Sequence, residues 1–179
     1  MGNICRSPMA EAMFRHALPE KQFFSAGLDA PLGHAADAHA CDLMRERGLD
    51  IGAHRARGIE GWMLLESDLI LTMEKSHKDY LELRYPVTQG KVMRLGEALR
   101  CDIPDPYGKD RQAFEQACEL IGATRRTPLA EMKRSYRKKV SECHPDKLAQ
   151  QDLSDAEMAG AKERLLRYQQ AWEIIKRHH

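Results

Sequence analysis

The stretch that most restricts the fold of this chain stands at its start: Gly2, Asn3, Ile4, Cys5, Arg6, Ser7 and Pro8. It reads as a phosphate-cradling loop feeding a helix. Ser7 suits an N-cap, Pro8 suits the first helical position, and residues 9–18 have helix-forming composition. Backbone N–H groups that converge ahead of a helix N-terminus make an anion site. Arg6 adds a planar two-pronged donor for two phosphate oxygens. Taken alone, the same stretch also fits a turn before an ordinary helix.

The rest of the first two-thirds alternates strand and helix signals. Residues 21–27 read as a short strand ending in a turn. Residues 36–47 read as a helix with Ala40, Leu43 and Met44 on one face, stopped by Gly48. A short helical stretch is expected over 59–65. Leu69-Ile70-Leu71 is a continuous apolar run of the kind found in a buried parallel strand. Residues 75–84 return to helix, ended by Pro86, and 91–95 form a further strand candidate. Such alternation predicts an α/β fold with a doubly wound parallel sheet.

With 179 residues the chain can form one domain or two small ones. Its 28 basic and 27 acidic side chains nearly cancel, so no global field points to nucleic acid or a membrane surface. No apolar run approaches the ~20 residues of a membrane span, and no signal-peptide pattern is present. Five scattered cysteines suggest neither a disulfide framework nor a zinc site. A soluble cytoplasmic protein with reduced thiols and no metal or cofactor is the expectation.

The loop resembles the active-site loop of low-molecular-weight protein tyrosine phosphatases, whose pattern is Cys-x-Gly-Asn-x-Cys-Arg-Ser-Pro. Ser25-Ala26-Gly27, Leu69-Ile70-Leu71-Thr72-Met73 and Ile103-Pro104-Asp105-Pro106-Tyr107 resemble further segments of that family in the right order. The resemblance covers residues 1 to about 121 and is nearest the bacterial enzymes. It implies a phosphate site made by Gly2, Asn3, Ile4, Cys5, Arg6 and Ser7. Arg6 would hold the phosphate and the transition-state oxygens, Ser7 would bond the nucleophilic sulfur, and Asn3 would brace the loop. Asp105 would protonate the leaving phenolic oxygen and then activate water, on a loop stiffened by Pro104 and Pro106. Tyr107 would line the substrate cleft. Without the family, Pro-Asp-Pro-Tyr-Gly is simply a turn.

On this pattern Met1 is the variable residue, Cys5 is the second cysteine, and the nucleophilic cysteine would precede Met1. The expectation is therefore a phosphatase domain whose first, central strand is missing, able to bind phosphate but not to turn over. A start assigned too late at a valine codon would account for this. Cys5 lies opposite the nucleophile in the family loop and is not expected to replace it.

From about residue 113 the vocabulary changes. Thr127-Pro128 opens a helix to about Cys143, with Leu129, Met132, Tyr136, Val140 and Cys143 at helical spacing. Arg134, Arg137 and Lys138 take the opposite face, flanked by Lys133 and Lys139. His144-Pro145-Asp146, a loop, and a capping box at Ser154-Asp155-Ala156-Glu157 lead into a long helix striped by Met158, Ala161, Leu165, Tyr168, Trp172 and Ile175. Two such helices make an antiparallel hairpin. His144-Pro145-Asp146 behind Met132-Lys133-Arg134-Ser135-Tyr136-Arg137-Lys138, with Lys147-Leu148 and Tyr168-Gln169-Gln170-Ala171-Trp172-Glu173, resembles the J domain of DnaJ-type co-chaperones, most of all the DjlA-like ones. That resemblance implies an all-α J domain over 113–179 after a phosphatase-like domain over 1–112. Its Lys133, Arg134, Arg137, Lys138 and His144-Pro145-Asp146 would dock on an Hsp70-type chaperone. A nucleic-acid role is not expected, because interleaved aromatics are missing.

The junction helix, over 109–121, carries Ala113, Phe114, Ala117, Cys118, Leu120 and Ile121 on one stripe. One stripe covers one core, and the expectation places Leu120 and Ile121 against the J hairpin. Three functions follow: a phosphatase acting on phosphotyrosine proteins, a J-domain co-chaperone with a vestigial or binding phosphatase-like part, or arsenate reduction. Asp105 in Pro-Asp-Pro-Tyr argues against the last.

Overall fold

The computed structural model describes residues 2–97, 99–125, 154, 157–163 and 165–166. Helix α1 (Arg6–Ala17) turns Met9, Ala10 and Met13 inward, one face of a helix at i, i+1 and i+4 spacing. Helix α2 (Ala38–Glu46) buries Ala40, Leu43 and Met44. The Asp37 carboxylate caps its start by accepting from the His39 N–H at 2.9 Å. Its end is a Schellman motif: Gly48 sits at φ 71°, its N–H donates to the Arg45 carbonyl, and the Leu49 N–H donates to the Met44 carbonyl.

Helix α3 (Gly61–Glu66), strand β1 (Ile70–Thr72), helix α4 (Lys75–Arg84), strand β2 (Val92–Arg94) and helix α5 (Arg111–Arg125) complete the described elements. Strands β1 and β2 run parallel, with Ile70 opposite Val92 and Thr72 opposite Arg94. A parallel bridge joins Gly27 to Gly58. Two cores result. The larger joins α1, α2 and α5 with Ile51, Leu95 and Ile103, and the smaller joins Leu64 of α3, Leu81 of α4 and Val92 of β2.

Four expectations need correction. Of the strand expected over 21–27 only Gly27 pairs, through its bridge to Gly58, and residues 21–26 join no ladder. The Phe23 carbonyl accepts from Arg15 Nε and Nη2 at 3.1 and 2.7 Å, and the Ser25 carbonyl accepts from Arg57 Nε at 2.8 Å. Side chains occupy the acceptors that a neighbouring strand would use. The apolar run at β1 is not buried throughout either, since Leu69 and Leu71 are 37% and 36% exposed. β1 packs chiefly on β2 and α4, which leaves Leu71 on the less covered face.

The third correction concerns the start of α1. Cys5, not Ser7, is the N-cap residue, and Arg6 and Ser7 already lie in the first turn. The Ser7 hydroxyl is taken by Asn3 Nδ2 at 3.0 Å and caps nothing. Pro8 still fits, because the amides of the first turn have no acceptor within the helix. Fourth, α5 runs to Arg125, and its stripe packs on α1 and α2. Phe114, Ala117, Cys118 and Ile121 are core residues with at most 1% exposure, and Leu120 packs partly against the same core. Ile121, and Leu120 in part, thus join the core shared with α1 and α2.

The basic helix with Lys133, Arg134, Arg137 and Lys138, the tripeptide His144, Pro145 and Asp146, and Tyr168, Trp172 and Ile175 lie outside the described residues. Of the C-terminal pattern, the capping box is seen. The Ser154 N–H donates to Glu157 Oε2 at 2.9 Å, and the Glu157 N–H donates to Ser154 Oγ at 3.4 Å. Residues 157–163 are helical, with Ala161 buried and Glu157, Lys162 and Glu163 exposed. No helix among the described residues is long and apolar enough to cross a membrane.

Candidate functional site

The site is built on the loop ahead of α1. Asn3 takes φ 57°, a left-handed conformation in which asparagine is better tolerated than most residues. Its side chain locks that turn. Nδ2 donates to Ser7 Oγ at 3.0 Å and to Ser25 Oγ at 2.9 Å, and Oδ1 accepts from the Arg57 N–H at 3.0 Å. Ser25 Oγ in turn donates to Glu11 Oε2 at 2.7 Å. From below, His54 Nε2 lies 2.7 Å from the Asn3 carbonyl, and the Asp37 N–H donates to the Ile4 carbonyl at 2.8 Å. Gly2 passes close to Pro31, whose Cδ would stand 3.2 Å from any added Cβ. The loop is therefore tied to α1, to the segment after it, and to both flanks of α2. The first-turn amides of Arg6 and Ser7 have no acceptor inside α1, and they face a helix end that favours negative charge.

Arg6 joins this loop to the later half of the chain. Its side chain is 5% exposed, and its guanidinium meets three acceptors. Nη1 donates to Glu74 Oε1 at 2.7 Å and to the Ile103 carbonyl at 2.6 Å. Nη2 pairs with Asp105 Oδ2 at 3.0 Å. Asp105 is 43% exposed, and its Oδ1 accepts from the Tyr107 N–H at 3.4 Å. The Tyr107 side chain is 65% exposed and stands beyond Asp105 at the rim. Behind Glu74, His77 Nε2 lies 3.7 Å from the same Oε1. Burial is the main force pushing the His77 imidazolium below its ordinary range, with the Glu74 carboxylate opposing.

Cys5 is buried, and its thiol is pushed up to about 12, first by burial and then by the Asp37 and Asp105 carboxylates. Arg6 pulls the other way without overcoming them. At that value the Cys5 thiol keeps its proton at physiological pH.

The structure thus brings Gly2, Asn3, Ile4, Cys5, Arg6, Ser7 and Asp105 to one place, with Tyr107 at its edge. Sequence reasoning missed Glu74, Ser25, His54, Arg57 and Asp37. For Glu74 a signal existed. It stands two residues past the end of β1, and the carboxyl ends of parallel strands are where α/β sites assemble. No pattern in the sequence joins Asn3 to Ser25 or His54, because those pairings are made only by the fold.

Comparison with known proteins identifies the family. The sequence profile of the family described as "Low molecular weight phosphotyrosine protein phosphatase" matches residues 1–139. The Ralstonia nicotianae protein named "Probable low molecular weight protein-tyrosine-phosphatase EpsP" is 46% identical over 121 residues, covering 68% of this chain and 83% of that protein. The low molecular weight protein-tyrosine-phosphatase Wzb of Escherichia coli is 43% identical over 122 residues, with 68% and 83% covered. Among solved structures, Wzb of Vibrio vulnificus in complex with benzylphosphonate superposes with a TM-score of 0.66 at 37% identity, covering 69% of this chain and 88% of that one. The α/β fold with its parallel strands, the braced loop and this extent of likeness place the chain in the low molecular weight phosphotyrosine protein phosphatase family.

Proposed function

We propose that the loop of Gly2, Asn3, Ile4, Cys5, Arg6 and Ser7 binds the phosphate of a phosphotyrosine protein, with Arg6 and Asp105 as its chemical residues. The observation that supports this best is the 3.0 Å pairing of Arg6 Nη2 with Asp105 Oδ2 above a loop braced by Asn3. A phosphate dianion on the loop amides and Arg6 has its ester oxygen within reach of the Asp105 carboxyl, and the half-exposed Tyr107 ring offers a wall to a phenyl group. In the full reaction a thiolate forms the S–P bond while the P–O bond to the phenol breaks, and Asp105 gives its proton to the departing oxygen. Water then attacks phosphorus, Asp105 takes the water's proton, and phosphate leaves with the thiolate restored.

The family pattern puts that thiol on the residue before Met1, and Cys5 is a buried neutral thiol. The test has two arms. Phosphate or vanadate binding to the chain should be lost in Arg6→Ala. Aryl phosphate hydrolysis should appear when an apolar strand ending in cysteine is placed ahead of Met1, and should disappear again with Asp105→Ala. Absence of binding in the first arm, or hydrolysis by the 179-residue chain itself, refutes the reading.

A second reading concerns the C-terminal part, taken as a J domain over 113–179 that follows the phosphatase-like unit over 1–112 and shares its last helix. The capping box at Ser154 and Glu157 favours it, since it opens the helix that the J pattern requires. Lys133, Arg134, Arg137 and Lys138 would meet an acidic surface of an Hsp70-type partner, and His144, Pro145 and Asp146 would stimulate its ATPase. Stimulation that survives His144→Gln removes this reading.

A further inference from the structure

The three contacts of Arg6 differ in kind. Nη1 has two hydrogens, and both go to acceptors fixed by the fold: Glu74 Oε1 at 2.7 Å and the Ile103 carbonyl at 2.6 Å. Glu74 is the N-cap residue of α4 and stands two residues after the end of β1. Its carbonyl accepts from Thr72 Oγ1, and its Oε2 accepts from Ser76 Oγ at 3.4 Å. A carboxylate at a helix start is also favoured by the helix dipole. Glu74 is 30% exposed, and Asp105 is 43% exposed on its loop. The opposite edge of the guanidinium, Nε and Nη2, is the pair of parallel donors that grips a tetrahedral anion two-pronged. On that edge only Asp105 is paired, through Nη2, among the described residues.

We propose that Glu74 is a positioning residue for Arg6. It pins Nη1 together with the Ile103 carbonyl, so that the Nε and Nη2 edge is presented to the phosphate. The incoming dianion takes the place of Asp105 on Nη2 while Glu74 keeps its hold. This rests on the reading of the loop as a phosphate site. Glu74 acts through hydrogen-bond geometry, and its negative charge by itself opposes anion binding.

The signs of these two effects are opposite, which makes the role testable without turnover. Inorganic phosphate binding to the full 179-residue chain is measured by calorimetry for Glu74→Ala and Glu74→Gln. Loss of a charge-assisted bond that orients the guanidinium weakens binding about tenfold in Glu74→Ala. Glu74→Gln keeps an acceptor oxygen at the same reach and recovers most of that loss. If the charge were all that mattered, both variants would bind alike and at least as tightly as the parent, and that result overturns the proposal. An unchanged affinity in Glu74→Ala overturns it as well. If the parent itself fails to bind phosphate, or Arg6→Ala binds as well as the parent, the phosphate-site reading has failed instead. Should Glu74→Ala not fold, the Arg6 Nη protons of the parent decide by NMR: hindered guanidinium rotation with separate signals is expected, and free rotation refutes the pinning.

Discussion

Arg6 Nη2 and Asp105 Oδ2 stand 3.0 Å apart, so the side chain proposed to hold the phosphate and the one proposed to protonate the leaving group are paired with each other in the fold. A dianion must displace the Asp105 carboxylate from this donor and overcome its repulsion. Asp105→Asn should therefore tighten inorganic phosphate binding about fivefold, the worth of one half-exposed ion pair of roughly 1 kcal/mol. Calorimetric titration at low salt checks this, and weaker binding in the variant would mean that Asp105 props Arg6 in place instead of competing for it.

Asn3 carries three side-chain hydrogen bonds from a left-handed backbone position. Asn3→Ala loses all three and keeps a Cβ at φ 57°, and Asn3→Gly loses the same bonds without that steric cost. At about 1 kcal/mol per bond the alanine variant should lose roughly 3 kcal/mol of stability, with the glycine variant about 1 kcal/mol better. Urea denaturation of the pair measures both. Equal midpoints would show that the turn relaxes out of the left-handed region once its bonds are gone.

Packing of α5 gives a third expectation. Ile121 is fully buried in the core that α5 shares with α1 and α2. Ile121→Ala should cost about 2–5 kcal/mol, and hydrogen exchange should show α1 opening with it. A cost below about 1 kcal/mol would show that Ile121 does not contribute to that core.

Much of this was legible in the sequence. Ala40, Leu43 and Met44 show helical spacing and face the core, and Gly48, free to take φ 71° without a Cβ, stops α2 where a Gly at C′ should. Arg6 and Asp105 were found because each sits in a motif of fixed local spacing. What the sequence hides is pairing between segments. Glu74 offers the sequence only its place after a strand, and its hydrogen bond to Arg6 is made by the fold. Residues 21–27 have strand-like composition, yet Arg15 and Arg57 occupy the Phe23 and Ser25 carbonyls. Ile121 sits on a stripe that could cover either of two cores, and periodicity alone does not choose between them.

The last expectation concerns pH. The Cys5 thiol has an ordinary value of 9.0 and is pushed up to about 12 in the fold, chiefly by burial. Below 9.0 the thiol is protonated both folded and unfolded, so it contributes no pH dependence there. Between those two values the unfolded chain gives up the proton and the folded chain keeps it. The unfolded state then binds fewer protons, and stability falls as pH rises, at most by about 1.4 kcal/mol per unit. Lysines and tyrosines titrate in the same window, so the informative quantity is a difference. Stability of the parent minus that of Cys5→Ala, followed by urea denaturation from pH 8 to pH 11, should decline steadily once pH passes the ordinary thiol value. A flat difference would show that the folded chain already releases this proton. Cys5 would then be a thiolate beside Arg6, and the case against it as a nucleophile would lose its physical basis.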